Sequence, residues 1–330
     1  MQLSSLTHSK NLLAFSAGID SSALFFMLLD ASVTFDIALV NYHTRNESNT
    51  EEAHAAALAK KYNIKSFIIT APKFKTHFEA NARAFRYNFF EKIIDAHGYE
   101  NLLTAHQLND QLEWFFMRLS KGAGLSELIG LDEMSQRVTS SGLKYQLVRP
   151  ILEKTKDELL EYLIQNNLPY FVDASNSDTK FERNNFRKEF ADPFIKKYAN
   201  GLRNSFDYLR KDRDILQSGI TLIFSQDELR VLKLNSPNLR AKAADLALKE
   251  LGYLLSSDQR REIEQKENIV IGSKWAIVHQ GHRLYISPFL TTTMPKEFKE
   301  LCRVSALPIK IRPYCYEKGI KPGELMSLAL

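Results

Sequence analysis

The first half of the chain alternates between short apolar runs and longer segments whose apolar residues recur at helical spacing. Such runs are typical of buried strands, and the helical spacing is typical of amphipathic helices. The predicted strands are residues 11–15, 35–41, 66–70 and 101–105, and the predicted helices are residues 20–29, 51–62, 78–97 and 108–120. This order predicts βαβ units, and therefore a parallel sheet that is covered on both faces. Ligands of such sheets bind beyond the carboxyl ends of the strands.

The pattern changes near residue 190. Basic amphipathic helices are predicted at 192–217 and 237–254, and short strands at 269–271, 274–278 and 283–286. We therefore predict three regions. They are a catalytic α/β domain over residues 1–190, a region of basic helices and a hairpin over 191–290, and a short C-terminal segment over 291–330.

Composition narrows the class of protein. The 330 residues are 44% hydrophobic and 25% charged, which excludes a disordered or fibrous chain and favours two globular domains. No apolar run reaches the ~18 residues that a membrane-spanning helix needs, and the polar N-terminus lacks a signal-peptide pattern. The two cysteines, Cys302 and Cys315, are too few for a disulfide framework or a four-cysteine zinc site. We therefore expect a cytoplasmic protein that does not engage a membrane.

The net charge of +5 is unevenly distributed along the chain. Residues 1–190 contain 21 basic and 23 acidic residues, whereas residues 191–330 contain 23 basic and 16 acidic residues. This asymmetry predicts that the C-terminal part contacts a polyanion. The alternative is a basic surface without a specific partner.

The strongest local motif is the segment Ser16-Ala17-Gly18-Ile19-Asp20-Ser21-Ser22, which we call the phosphate loop. It follows an apolar strand and precedes a helix. Small residues let the backbone close around an anion, and the helix N-terminus supplies free N–H groups. The segment has neither the Walker pattern nor the dinucleotide-binding pattern of glycines. The alternative is an ordinary strand-to-helix turn in which Asp20 caps the helix.

A second group of polar residues follows the predicted strand at 101–105. His106, Asp110 and Glu113 are spaced four and three residues apart, so they would share one face if the segment is helical. Two carboxylates and an imidazole at a strand end can bind an ammonium group, hold magnesium or move a proton. The alternative is a polar helix start with one satisfied histidine.

The phosphate loop resembles the pyrophosphate-binding loop of the N-type ATP pyrophosphatases, the PP-loop superfamily, whose usual pattern is Ser-Gly-Gly-x-Asp-Ser. Further segments resemble bacterial tRNA(Ile)-lysidine synthetases in particular. These segments are residues 40–45, 79–87, 104–113, 122–124, 148–152, 173–176 and 183–187. They occur in the order that is usual for that family, over about residues 11–190.

The resemblance implies a fold, a reaction and a set of site residues. The fold is a parallel-sheet domain like the adenine nucleotide alpha hydrolases, with a smaller helical and α+β C-terminal region. The reaction joins L-lysine to C2 of the wobble cytidine of tRNA(Ile) with a CAU anticodon, by way of an adenylated cytidine. It requires ATP and Mg²⁺ and releases pyrophosphate and AMP. The basic C-terminal part would bind the tRNA backbone, and Trp275 would be available to stack on bases or to fill the core.

The same resemblance implies roles for individual residues. Ser16, Ala17, Gly18, Ile19, Asp20 and Ser21 would bind ATP, with Asp20 near the magnesium ion. Asp110 and Glu113 would bind an ammonium group of lysine, and His106 would move a proton. The negative charge of the intermediate would be offset by Arg83, Arg86 or Arg187.

The sequence departs from the family pattern at three positions. Ala17 stands in place of a glycine, which costs about 1 kcal/mol if that residue needs a positive φ. Asn109 replaces an acid, and Trp114 replaces a threonine. Because Asn109 lies about 100° around the helix from Asp110, it does not share the face of the carboxylates.

Three other functions compete with this interpretation. A tRNA 2-thiolation enzyme of the same superfamily would use cysteines near the ATP site, and this chain has none before Cys302. The second is a ligase that amidates small molecules, and the third is a tRNA-binding protein without catalysis. The sequence does not fix the oligomeric state, and a homodimer is one option.

Overall fold

The structure is a computed structural model that describes residues 3–43, 48–74, 76–172 and 182–326. The chain forms two compact units, Met1–Arg210 and Lys211–Leu330. Two segments that the sequence singled out, 44–45 and 173–176, lie outside the described residues.

The described part of the first unit contains a six-stranded sheet. Its strands are β1 Asn11–Ala14, β2 Phe35–Asn41, β3 Ser66–Thr70, β4 Asn101–Leu103, β5 Met134–Val138 and β6 Lys144–Val148. The order across the sheet is β3-β2-β1-β4-β6-β5, and neighbouring strands are parallel except in the β5–β6 hairpin. The predicted parallel sheet is confirmed, with a hairpin added at one edge.

Helices cover both faces of this sheet. They are α1 Ile19–Asp30, α2 Ser48–Lys61, α3 Phe78–His97, α4 Leu108–Leu119, α5 Leu125–Leu128, α6 Lys156–Gln165 and α7 Glu182–Phe186. Successive strand residues point to opposite faces. Accordingly, Leu13 of β1 belongs to the core with α1, α2 and α6, whereas Leu12 belongs to the core with α3. Burial on both faces explains why the strands are continuous apolar runs in the sequence.

The strand order reverses direction at β1. The chain moves outward from β1 to β2 and β3, and α3 then carries it back to β4 on the other side of β1. A crevice opens at such a reversal, beyond the carboxyl ends of the two strands. The phosphate loop follows β1 and His106 follows β4, so the fold brings the two predicted site segments together.

Beyond α7, the chain forms a π-helical turn, Arg187–Ala191, and then the long helix α8, Asp192–Ser218. Tyr198 has non-helical dihedral angles (φ −131°, ψ 21°) and kinks α8. Ile195 and Phe206 of α8 share a small apolar core with Leu108 and Leu112 of α4. The start of α8 is therefore packed onto the helix that follows β4.

The second unit contains an antiparallel sheet with the order β7-β8-β11-β10-β9. Its strands are β7 Ile220–Gln226, β8 Leu229–Leu234, β9 Asn268–Ile271, β10 Trp275–Gln280 and β11 Arg283–Pro288. Two helices, α9 Arg240–Glu250 and α10 Ser257–Gln265, pack on one face, and α11 Lys296–Val304, α12 Arg312–Glu317 and α13 Pro322–Met326 pack on the other.

Trp275 is fully buried in this second unit, so it fills the core rather than forming a surface for bases. Cys302 and Cys315 are also buried there, as free thiols. None of the helices in the described ranges is both long and apolar enough to span a lipid bilayer.

Candidate active site between two strand ends

A cavity of about 870 Å³ lies at the carboxyl ends of β1 and β4 in the first unit. Its wall includes the phosphate loop, the ends of β2 and β4, one side of α3, and the start of α8. This volume lies within the ordinary range for small-molecule sites. The crevice that the strand order predicts is therefore a real cavity in this protein.

The phosphate loop is held in shape by its own hydroxyl groups. Ser21 Oγ accepts a hydrogen bond from the backbone N–H of Ser16 (3.2 Å) and lies 3.1 Å from Ser16 Oγ, while Ser22 Oγ donates to the carbonyl of Ala17 (3.1 Å). Ala17 is buried and has φ of 59°, the left-handed conformation that favours glycine. The strain suspected at this position is therefore present.

Asp20 is not a helix cap. The N-cap of α1 is Gly18, and no side chain caps this helix end. Asp20 lines the cavity, and its Oδ1 atom is buried without a hydrogen-bond partner among the described residues. Burial, and secondarily the charge of Asp110, raise the pKa of Asp20 to about 6, against the opposing effect of Lys156 and Arg187. Asp20 therefore places a buried carboxylate oxygen in the cavity wall, where a ligand could satisfy it.

His106 also lines the cavity, just after β4. Its Nδ1 atom is 3.0 Å from Thr104 Oγ1, which fixes the orientation of the ring. Burial is the main cause that lowers the pKa of His106 to about 4; Arg149, Arg183 and Arg86 add to this effect, and Asp110 opposes it. The imidazole is therefore neutral near pH 7 and has a nitrogen that can accept a proton.

Asp110 and Glu113 lie on one face of α4, as their spacing predicts, and both are buried. Asp110 also takes part in the capping box of this helix, because its Oδ2 atom accepts from the backbone N–H of Gln107 (3.1 Å). Both carboxylates are bound by guanidinium groups. Asp110 Oδ1 is 3.2 Å from Nη2 of Arg183 and also 3.2 Å from Nη2 of Arg187.

Glu113 completes this four-residue ion-pair cluster. Its Oε2 atom is 2.8 Å from Nε of Arg187, and its Oε1 atom accepts from Nε of Arg183. Burial raises the pKa of Glu113 and Asp110 adds to this effect, while Arg183 and Arg187 oppose it. The sequence nominated Arg187 for the site but not Arg183. Contacts that span 70 or more residues leave no signal in local spacing.

Asn109 joins the starts of three helices. Its Nδ2 atom donates to Asp192 Oδ1 at the start of α8 (2.7 Å), and its Oδ1 atom accepts from the backbone N–H of Lys156 at the start of α6 (3.2 Å). An aspartate at position 109 would place its carboxylate against that of Asp192, and it could not donate this hydrogen bond. Asp192 and Lys156 both line the cavity, and local spacing in the sequence identified neither.

The two nominated arginines of α3 occupy different places. Arg86 lines the cavity, whereas Arg83 is exposed and stacks on the ring of Tyr87, 4.8 Å from its centroid. No cluster of three or more His, Cys, Asp or Glu side chains suited to a metal ion occurs within the described ranges. A metal ion at this site would therefore need ligands from a substrate in addition to the protein.

Comparison with known proteins agrees with the parallel sheet and the loop that follows β1. The profile of the PP-loop domain matches residues 1–193. The tRNA(Ile)-lysidine synthase of Campylobacter jejuni is 42% identical over 324 residues, which cover 98% of this chain and 97% of that protein. Those of Wolinella succinogenes and Helicobacter pylori are 40% and 38% identical, and the alignments cover 96% and 97% of this chain and 95% and 93% of those proteins. With similarity of this extent over nearly the whole length, the chain belongs to the tRNA(Ile)-lysidine synthase family.

Proposed function

We propose that this protein joins L-lysine to C2 of the wobble cytidine of tRNA(Ile) with a CAU anticodon, and that ATP is converted to AMP and pyrophosphate. The observation that carries this proposal is one cavity that brings the phosphate loop together with His106 and Arg187, while Asp110 and Glu113 are ion-paired to Arg187 in the layer behind it. The relatives named tRNA(Ile)-lysidine synthase align with this chain over nearly their full lengths, which supports the same reaction.

The reaction proceeds in two steps. The cytidine O2 atom attacks the α-phosphate of ATP and pyrophosphate leaves. The ε-amine of lysine then attacks C2, loses a proton, and AMP leaves. The backbone and hydroxyl groups of residues 16–21 would hold the phosphates at the start of α1. The cytidine has to leave its stack to reach the cavity, which costs little in a loop where bases are already unstacked.

The residues of the cavity fit a magnesium ion bound together with ATP. Magnesium commonly takes one or two carboxylates and completes its coordination with substrate phosphates and water. Asp20 supplies such a carboxylate, with a buried oxygen that has no partner among the described residues. When bound, the ion would neutralise charge on the phosphates. Asp20 would then be ionised by the cation, despite its raised pKa.

Lysine selection is assigned to Asp110 and Glu113. Their carboxylates face Arg183 and Arg187, so the four side chains together present both signs of charge. An amino acid carries both signs as well. An ammonium group of lysine would approach the carboxylates, and its α-carboxylate would approach the guanidiniums.

The remaining groups serve proton transfer and charge. The neutral ring of His106 would accept a proton from the amine as it attacks C2, and the negative phosphate of the adenylated intermediate would make the ring more basic. Arg86 and Arg187, which line the cavity, would offset that negative charge, and Arg83 would contribute from the surface. We also retain, as proposals, a cytoplasmic location, tRNA binding by residues 191–290, and a homodimer as one option for assembly.

The decisive experiment supplies ATP, magnesium and radiolabelled lysine with two isoleucine tRNA transcripts, one with a CAU and one with a GAU anticodon. We expect lysine to be incorporated into the CAU transcript, with one AMP formed per lysine. Replacing lysine with a sulfur donor tests the thiolation alternative, which requires sulfur incorporation. If neither lysine nor sulfur is incorporated and the tRNA still binds, the protein is a tRNA-binding protein and the proposed reaction is wrong.

A further inference from the structure

Three arginines gather around one tyrosine beside the cavity. The guanidinium carbon of Arg83 lies 4.8 Å from the ring centroid of Tyr87, and that of Arg137 lies 5.4 Å from it. Arg149 is buried close to the same group. Burial lowers its pKa, and Arg137 and Arg83 act in the same direction, while Tyr87 and Asp132 oppose them. We call Arg83, Tyr87 and Arg137 the arginine–tyrosine stack.

The fold holds this stack in place from two elements. Arg83 and Tyr87 are four residues apart on α3 and therefore share one helix face. Arg137 lies on the edge strand β5, directly opposite Tyr145 of β6. Directly opposed residues of an antiparallel pair lie on the same side of a sheet. Tyr145 packs in the core beneath α3, so Arg137 faces the same helix.

Carboxylates lie near the stack, because Asp132 acts on Arg149, and Glu91 and Arg137 both act on Tyr145. Within the described ranges, neither Arg83 nor Arg137 takes part in an ion pair. Both lie near Arg149, which is also positively charged. A nearby carboxylate, Glu91, is bound by the hydroxyl of Tyr145 (3.0 Å). Guanidinium groups that stack on an aromatic ring keep their N–H groups at the edge, where they can bind a planar pair of oxygens. Such an arrangement is suited to an anion.

The position of the stack decides which anion it fits. Tyr87 and Arg86 line the cavity, whereas Arg83 and Arg137 do not line it and are exposed to solvent. The phosphates of ATP are expected at the phosphate loop, inside the cavity. The exposed guanidiniums therefore face an anion that extends outside the cavity while its neighbouring group enters.

We propose that Arg83 and Arg137 bind a backbone phosphate of the substrate RNA, next to the nucleotide that enters the cavity. This inference rests on the proposed function and adds a binding residue, Arg137, to the site. Arginine binds phosphate through two parallel hydrogen bonds, and such contacts position RNA without reading its sequence. RNA binding would then begin in the first unit, beside the reacting base, and would not be confined to the basic C-terminal part.

The test measures binding of the CAU isoleucine tRNA to the full chain over a range of salt concentrations. The variants are Arg137→Ala and Arg137→Lys, and the matched control is Arg118→Ala. Arg118 also stacks on an aromatic ring, that of Trp114 at 4.4 Å, but it does not line the cavity. Loss of one phosphate contact lowers the slope of log affinity against log salt by about 1.

We expect that loss of slope in Arg137→Ala, a retained slope in Arg137→Lys, an unchanged slope in Arg118→Ala, and unchanged ATP binding in all three proteins. An unchanged slope in Arg137→Ala would overturn the inference, as would an equal loss in Arg118→Ala. Weaker ATP binding by Arg137→Ala would also overturn it, since the anion would then be the nucleotide.

The inference and the proposed function can fail separately. Lysine incorporation by the wild-type protein together with an unchanged slope in Arg137→Ala would keep the function and reject the stack. If the wild-type protein incorporates no lysine but Arg137→Ala shows the expected loss of slope, the proposed function is wrong and the arginine–tyrosine stack still binds RNA.

Discussion

At the scale of single residues, the burial of Asp20 has the clearest effect on the stability of the fold. Its folded-state pKa is about 6, above the value of about 3.9 for an unfolded aspartate, so the folded protein holds this proton more tightly than the unfolded chain does. Stability from this group is complete below about pH 4 and is lost as the pH rises through 6. The ionised, ATP-free protein therefore bears a penalty on the order of 3 kcal/mol above pH 6.

The first prediction follows for Asp20→Asn, which keeps the shape of the side chain and removes its charge. At pH 8 the free energy of unfolding should exceed that of the wild type, and the difference should shrink as the pH is lowered toward 4. Lysine transfer should be lost, because the carboxylate would no longer hold magnesium. Denaturant unfolding at both pH values and a lysine-transfer assay measure the two effects.

Asp30→Asn, at the other end of α1, is the control and should retain lysine transfer. Normal transfer by a folded Asp20→Asn protein would show that the buried carboxylate has no part in the reaction.

Asn109 gives a second prediction at this scale. Asn109→Asp should lose the hydrogen bond to Asp192 and oppose two carboxylates in its place, destabilising the fold by about 1–3 kcal/mol near pH 8. The loss should decrease at lower pH, because one of two adjacent carboxylates then takes up a proton. Thermal unfolding at several pH values measures it.

The double variant with Asp192→Asn reverses the polarity of this pair and should recover much of the stability. A double variant whose destabilisation equals the sum of the two single changes would show that positions 109 and 192 are not energetically coupled.

At the scale of elements, α4 and the segment 183–187 form one ion-paired cluster, and this pairing sets the third prediction. Asp110→Asn and Glu113→Gln each remove the negative charge from two ion pairs, one with Arg183 and one with Arg187, with minimal change of shape. Lysine transfer should fall roughly 10- to 150-fold, the kinetic equivalent of about 1.5–3 kcal/mol. Pyrophosphate release with tRNA and without lysine should fall less, because it does not require the amino acid.

Glu161→Gln, at an exposed carboxylate of α6, serves as the control and should match the wild type in both assays. Equal losses in both steps would instead assign Asp110 and Glu113 to magnesium or to holding Arg183 and Arg187 in place.

The strands also show which parts of the fold could be predicted from the sequence. The first four strands are continuous apolar runs because both faces of the sheet are covered, and the pattern predicted them. β6 and β8 were not predicted, and β5 was not predicted because it is a mostly polar, exposed edge strand. β7 was not predicted either; a register shift between Leu222 and Phe224 interrupts its alternation.

The residues of the candidate site also fall into those that the sequence could predict and those that it could not. The phosphate loop and His106–Glu113 are local motifs whose types and spacing carry information, and strand order alone brings them together. Arg183, Asp192 and Lys156 enter the site through contacts between distant segments. A single sequence contains no spacing from which such contacts could be read.

At the scale of the whole molecule, the fourth prediction concerns where the chain can be shortened. A chain ending at residue 190 would lose Ala191, Ile195 and Phe206, which belong to the apolar core with α4. A chain ending after Arg210 would keep them. We therefore expect the chain ending after Arg210 to unfold cooperatively and bind ATP, and the chain ending at 190 to do neither. Thermal unfolding and ATP titration measure this difference.

The same shortened chain tests the uneven charge. Without residues 211–330, affinity for tRNA should fall, and its dependence on salt should become weaker, because fewer phosphates are contacted. A chain ending after Arg210 that binds tRNA as tightly as the full chain would assign the interaction to the first unit.

The reversal of strand order at β1 also has a consequence for biosynthesis. The phosphate loop leaves the ribosome early, but its neighbour β4 and the guanidiniums that neutralise Asp110 and Glu113 are translated much later. Until they emerge, packing of α4 into the first unit would bury two carboxylates without counter-charges, which is costly. We therefore expect the nucleotide pocket to form only after residues 183–187 have been translated. We expect an unfinished nascent chain to contain the phosphate loop but no pocket in which ATP could bind and react.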